Sequence, residues 1–122
     1  MAGFTRARQI AILNTEFPTS GSTDHIAYST DGTSETSILA RTAIGATGWA
    51  SATNADPSVK ANANALTSAA ATGSGTLTHF AFFSASSAGT QKSDWQPLAA
   101  SRAIVAGDTV TWNAGTATFS LD

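Results

Sequence analysis

The stretch "GTLTHFAFFSASSAG", residues 75–89, decides the fold. It reads as a long strand ending in a polar loop of small residues. With a period of two, Leu77, His79, Ala81 and Phe83 share one face, while Thr78, Phe80, Phe82 and Ser84 share the other. A strand that is half-buried in a small domain carries its apolar bulk on one face only, yet here both faces carry it. Exposing Phe80 and Phe82 would forgo roughly 1.5–3 kcal/mol each and invite aggregation. The strand is therefore central, and its second face needs cover from this chain or from another.

Outward from it, everything after His25 has the texture of β structure: short runs rich in Thr, Val, Ile and aromatics, cut by Gly, Asp and Asn. Strands are expected near residues 25–29, 36–42, 46–53, 60–67, 77–85, 94–98, 102–105, 108–113 and 116–122. "DG" at Asp31–Gly32 suits a tight hairpin, and Gly107 and Gly115 suit further turns. Val110 with Trp112, and Phe119 with Leu121, alternate with Thr and Ser, which marks one side as core. Pro97 lacks a ladder donor and places its strand at an edge or at an end. The pattern predicts a mainly β chain, an antiparallel β-sandwich or small barrel, rather than a βαβ sheet.

The N-terminal segment differs. Ile10, Leu13 and Phe17 fall at helical spacing, while Ile10 and Ile12 alternate as in a strand; a short helix or arm is favoured, stopped by Pro18. Residues 1–20 are thus expected to be an arm and 21–122 the sandwich domain. The arm's three apolar residues are the natural cover for the second face of the phenylalanine strand, and become an assembly device where they pack on a neighbour.

At 122 residues the chain is long enough for one core. Charged residues are 11% of it, against about a quarter in ordinary proteins. Ala, Ser and Thr together approach half of all positions. Such a surface repels its neighbours weakly and suits a chain that sits against copies of itself or a partner. The six basic residues are scattered, which argues against nucleic acid as a partner. No stretch suits insertion in a membrane, and "IAIL" is too short for a signal-peptide core. The absence of cysteine excludes disulfides and thiolate metal sites.

Candidate chemistry is sparse. A catalytic or metal-binding His79 would need a partner such as Asp94 or Asp108 within reach; the simpler expectation is a strand histidine whose ring is half-buried and hydrogen-bonded to a neighbouring strand or loop. Asp31, Glu35, Asp56, Asp94, Asp108 and Asp122 stand apart, mostly beside turns. No calcium loop, phosphate loop, nucleophile elbow or metal-spaced histidine pair occurs. The expectation is a non-enzymatic protein with no cofactor and no metal. Trp112 is expected in the core and Trp95 as a plug, while Trp49, beside Gly48, is the candidate for an exposed contact.

Residues 61–122 carry a specific order of landmarks: "TLTHFAFFSA", "SAGT", "DWQPLAASRAI", "AGDTVTW" and "AGTATFSLD". In these the chain resembles the small β-sandwich virion structural proteins of tailed bacteriophages, among them tail-fibre and minor-tail proteins. "DHIAYSTDGT" and "LARTAIG" match more loosely upstream. The resemblance implies a virion component on the tail or capsid surface, made in the host cytoplasm, with other virion proteins as partners and a homo-oligomeric state; it carries no catalytic motif. Candidate interface residues are Ile10, Leu13 and Phe17 in the arm, Trp49, and Lys92 in the loop at 86–93. Two alternatives follow: a capsid decoration protein that strengthens the head lattice, and a carbohydrate-binding adhesin module that puts Trp49 or Trp95 in a groove for a host surface glycan.

Overall fold

The computed structural model of the chain describes residues 4–55 and 57–121. Asp56 and Asp122, two of the isolated acids, lie outside them. The chain is mainly β, with antiparallel sheets and one short N-terminal helix. Among the described residues no barrel closes. The chain divides into two compact units, each assembled from separated segments: residues 1–22, 44–65 and 112–122 in one, and 23–43 and 66–111 in the other. The expected division at residue 20 falls beside the first passage between them.

The first unit contains helix α1 (Arg6–Glu16) and strands β3 (Ser58–Ala61) and β8 (Thr118–Leu121). Thr5 caps α1, its Oγ1 accepting from Arg8 N at 3.3 Å, and the helix closes where Phe17 N donates to Leu13 O just before Pro18. The helix reading of the arm is therefore correct, but its fully buried stripe runs Gln9, Leu13, Phe17, at i, i+4 and i+8, with Ile10 only half-buried. Strands β3 and β8 pair antiparallel, Lys60 opposite Phe119. Phe17 packs against Trp49 at 5.0 Å and Phe119 at 5.3 Å between ring centroids, both in tilted geometry.

Buried polar groups lock this unit together. Gln9 Oε1 accepts from Ser58 N at 3.3 Å and its Nε2 donates to Phe4 O. Asn14 Oδ1 accepts from Ala52 N and from the fully buried Lys60 Nζ. Asn62 donates to Asn64 O and Asn113 O and accepts from Ala117 N. These bonds answer the desolvation cost of each group, which would otherwise be a few kcal/mol.

The second unit contains a four-stranded antiparallel sheet in the order β2 (Thr42–Ala43), β1 (His25–Ser29), β5 (Gly75–Phe83), β6 (Gln96–Ile104). The expected central strand is indeed central: β5 pairs with β1 through Ile26↔Phe82 and Tyr28↔Phe80, and with β6 on its other side. Phe80, Ala81 and Phe82 are buried, as are Ile26, Ala27 and Tyr28, and the Tyr28 hydroxyl meets Thr42 Oγ1 at 2.6 Å. Strand β4 (Leu66–Thr67) belongs to this unit, and β7 (Thr111–Trp112) falls where the chain passes from one unit to the other.

Several strands are shorter than their composition suggests. Residues 36–41 and most of 46–53 are irregular, Trp49 making a single bridge to Asn62. The run 60–67 breaks between β3 and β4. The expected strands at 94–98 and 102–105 are one element, β6, at the edge of its sheet as Pro97 requires.

Candidate functional site

His79 lies on β5 opposite Pro97 of β6 and Ser29 of β1. Its Nδ1 is 2.8 Å from Thr78 Oγ1. The ring covers Gly32, whose φ is +79°; a Cβ there would come within 2.8 Å of His79 Cε1. Glycine thus lets both the backbone and the ring into the turn. His79 is the half-buried strand histidine expected from the sequence, though its bond is to Thr78 of its own strand and not to a neighbouring strand or loop. Asp31 organises that turn: its Oδ1 accepts from Thr33 N, Ser34 N and Ser29 Oγ, which hold its carboxyl well below the usual carboxylate range. Asp108 organises the turn after β6, its Oδ2 accepting from Val105 N at 2.9 Å. Among the described residues no group of three or more His, Cys, Asp or Glu is placed to hold a metal ion.

The most organised cluster with an exposed rim lies beside the C-terminal end of β5. Arg41 reaches Glu35 through two parallel bonds, Nε to Oε2 and Nη2 to Oε1, both 2.8 Å. Its Nη1 donates to Ala85 O at 2.9 Å and Ala88 O at 2.8 Å. The guanidinium carbon sits 4.0 Å over the Phe83 ring, and Phe83 in turn faces Trp95 at 6.0 Å. The Arg41 side chain is 6% exposed and that of Glu35 32%. A planar, five-donor cation is the side chain that can bind a carboxylate, two carbonyls and a ring at once.

Arg41 therefore fixes the loop after β5. Within it Ala88 and Gly89 take left-handed backbone, and Ser84 and Thr90 close its neck, Ser84 N to Thr90 O and Thr90 N to Ser84 Oγ, both 2.9 Å. Residues 86–91 are exposed on this pinned frame. A cleft of about 340 Å³ lies alongside, lined among others by Glu35, Ser37, Leu39, Arg41, Ser86 and Ser87. Its donors and acceptors are hydroxyls and an ion pair already engaged with itself, which suits contact with a polar partner.

The structure corrects most of the expected interface residues. Leu13, Phe17 and Trp49 are 1%, 0% and 2% exposed, so they are core of this chain and not free contacts. Trp49 is buried because the small residues around it permit close approach: a Cβ on Gly48 would lie 1.8 Å from Ile44 O, so only glycine lets the turn fold down on itself. Ile10 is half-buried. Lys92 is also half-buried, its Nζ 2.7 Å from the buried Asp24 carboxylate. That charge is committed inside the unit. Trp112 is buried as expected, and Trp95 is half-buried against Phe83. The exposed part of the 86–93 loop is residues 86–91.

The Arg41–Glu35 clasp escapes sequence reading because side chains six positions apart in an extended segment stand about 20 Å from each other, and it is the irregular path of residues 36–41 that brings this pair together. The available signal is rarity: in a chain so poor in charge, an arginine within the apolar run "ILART" invites a buried partner.

The mainly β chain thus presents a polar loop that Arg41 holds in one conformation. The sequence model of the Podophage GP4 fiber I protein gp80 family matches residues 10–120. The chain belongs to this family of phage fibre proteins. No curated protein matches it closely enough to count as a relative.

Proposed function

We propose that the protein is a non-enzymatic structural component of a phage particle, present in several copies on the tail fibre and working by protein–protein assembly. The observation that carries this reading is the family match over residues 10–120. The site supports it: Arg41 spends its hydrogen bonds on holding a loop in one conformation, which lowers the entropy that the loop loses when a partner binds it. The low charge of the chain favours close approach of other virion proteins and of further copies. Synthesis takes place in the host cytoplasm, before assembly.

Labelling tests the reading. A small tag is added and located on purified particles by gold labelling and electron microscopy. Label on the fibres supports the proposal. Label over the head assigns the chain to capsid decoration instead, and absence from the particle overturns the structural role. Glycan-array binding by the isolated protein, lost in Arg41→Ala, would replace assembly with host-surface recognition at the cleft.

A further inference from the structure

Lys60 on β3 is 0% exposed, and its Nζ donates to Asn14 Oδ1 of α1 at 2.7 Å. Lysine is almost never buried so completely, because an ammonium loses its hydration there. Burial of this depth favours the neutral amine of a lysine, which is also the nucleophilic form. Apolar rings lie on the same side: Phe119 stands opposite Lys60 in the β3–β8 pair, so the two side chains share a face, and Phe17 packs against both Phe119 and Trp49.

The amine has an electrophile beside it. A C=O bond is about 1.23 Å long, so Nζ is at most about 3.9 Å from Asn14 Cγ, against about 3–3.5 Å for atoms poised to react. Asn14 Oδ1 also accepts from the backbone N–H of Ala52 at 3.0 Å, a bond that strengthens as negative charge grows on the oxygen. Further up the helix Gln9 Oε1 accepts from Ser58 N, which holds α1 against β3 around the pair. Among the described residues Asn14 Nδ2 makes no hydrogen bond, and Asn14 is half-buried, so a group leaving from it has solvent beside it.

We propose that Lys60 and Asn14 join in an intramolecular amide cross-link. Nζ attacks Cγ, the bond from Cγ to Nδ2 breaks, and Nδ2 departs as ammonia, carrying the proton that Nζ gives up. Nothing is oxidised or reduced, and no co-reactant is consumed. The product is a secondary amide that keeps the acceptor used by Ala52 N–H and replaces a buried amine with an uncharged group. It closes residues 14–60 into a ring, so α1 cannot leave β3 without breaking a covalent bond, a property that suits a fibre protein pulled along its length. Formation needs only the folded chain and is independent of where the chain sits in a particle.

Mass spectrometry of the purified full chain, kept folded at neutral pH, tests this. Counted from the same N-terminus, the natural protein is expected to weigh about 17 Da less than its sequence, the mass of one ammonia. Trypsin cuts after Lys and Arg but not after an acylated lysine. It should therefore release one branched peptide in which residues 9–41 are joined to 42–92, uncut after Lys60 and cut after Lys92. Lys60→Met should restore the full mass, a reading that does not depend on how well the variant folds. A natural protein at full mass that is cut after Lys60 would overturn the proposal. So would a loss of about 17 Da within a single unbranched peptide, which is the imide an asparagine forms with its own backbone. A branch at Lys92, which lies against the Asp24 carboxylate, would overturn it as well.

Discussion

Replacing Arg41 by alanine removes the two bonds to Glu35, the two to the carbonyls of Ala85 and Ala88, and the cover of Phe83. Hydrogen bonds to a charged group contribute about 1.5–3 kcal/mol each in favourable settings, but they are not additive. Glu35 is a third exposed and rehydrates, which recovers part of the loss. The two carbonyls gain water once the loop opens. A net loss of about 2–3 kcal/mol is expected, confined largely to the loop because its neck bonds are all local. Amide exchange read by mass spectrometry on peptides covering 84–91 should then accelerate about 30–150-fold, since 1.4 kcal/mol is a factor of ten. Peptides covering β1 should change little. Arg41→Lys keeps the charge without the fork and should fall between the two. Exchange at 84–91 within about three-fold of the natural protein in Arg41→Ala, well under the ten-fold that 1.4 kcal/mol would give, would refute the clasp.

Three further outcomes are expected. Gly48→Ala forces a Cβ to within 1.8 Å of Ile44 O and should lower the melting temperature, whereas Gly21→Ala, with nothing within 4 Å but a φ of +69°, should cost only its backbone strain of about 1 kcal/mol. Asn62→Ala strands the buried amide of Ala117 and takes one donor from the carbonyls of Asn64 and Asn113, the second of which still accepts from Thr116; a cost of about 2 kcal/mol should appear in thermal denaturation as a fall of about 8 °C. Asp31 has a folded pKa below its unfolded value near 3.9, so its stabilisation is present above that value and declines as pH falls below it. Asp31→Asn should flatten the dependence of melting temperature on pH between about 5 and 2, relative to the natural protein, and an unchanged slope would remove Asp31 from the turn's electrostatics.

The strand at β5 was legible because apolar side chains fall on both of its faces, Leu77 and Ala81 on one and Phe80 and Phe82 on the other, and burial on both faces leaves it nowhere but the centre. β1 matches its expected bounds, 25–29, for the same reason. The arm was legible as a helix from the spacing of Ile10, Leu13 and Phe17, though helical spacing alone does not show that Gln9 takes the buried place beside Leu13. Trp49 was misread because small neighbours resemble a surface texture, when here they are what allows a turn to close around a buried indole. The split strands at 94–98 and 102–105 reflect a real break in pairing, which the structure places inside one continuous edge strand.

The sequence by itself determined what periodicity and composition can encode: the mainly β class, the central strand, the helix, the positive-φ turns at Gly32, Gly107 and Gly115, and a surface poor in charge. Only the tertiary structure decided which polar groups are buried together, among them Gln9 with Ser58, Asn14 with Lys60, and Arg41 with Glu35 and the carbonyls of 85 and 88. Apolar burial follows a local pattern along the chain, whereas a buried polar group is stable only where segments distant in sequence bring it a partner with the right geometry.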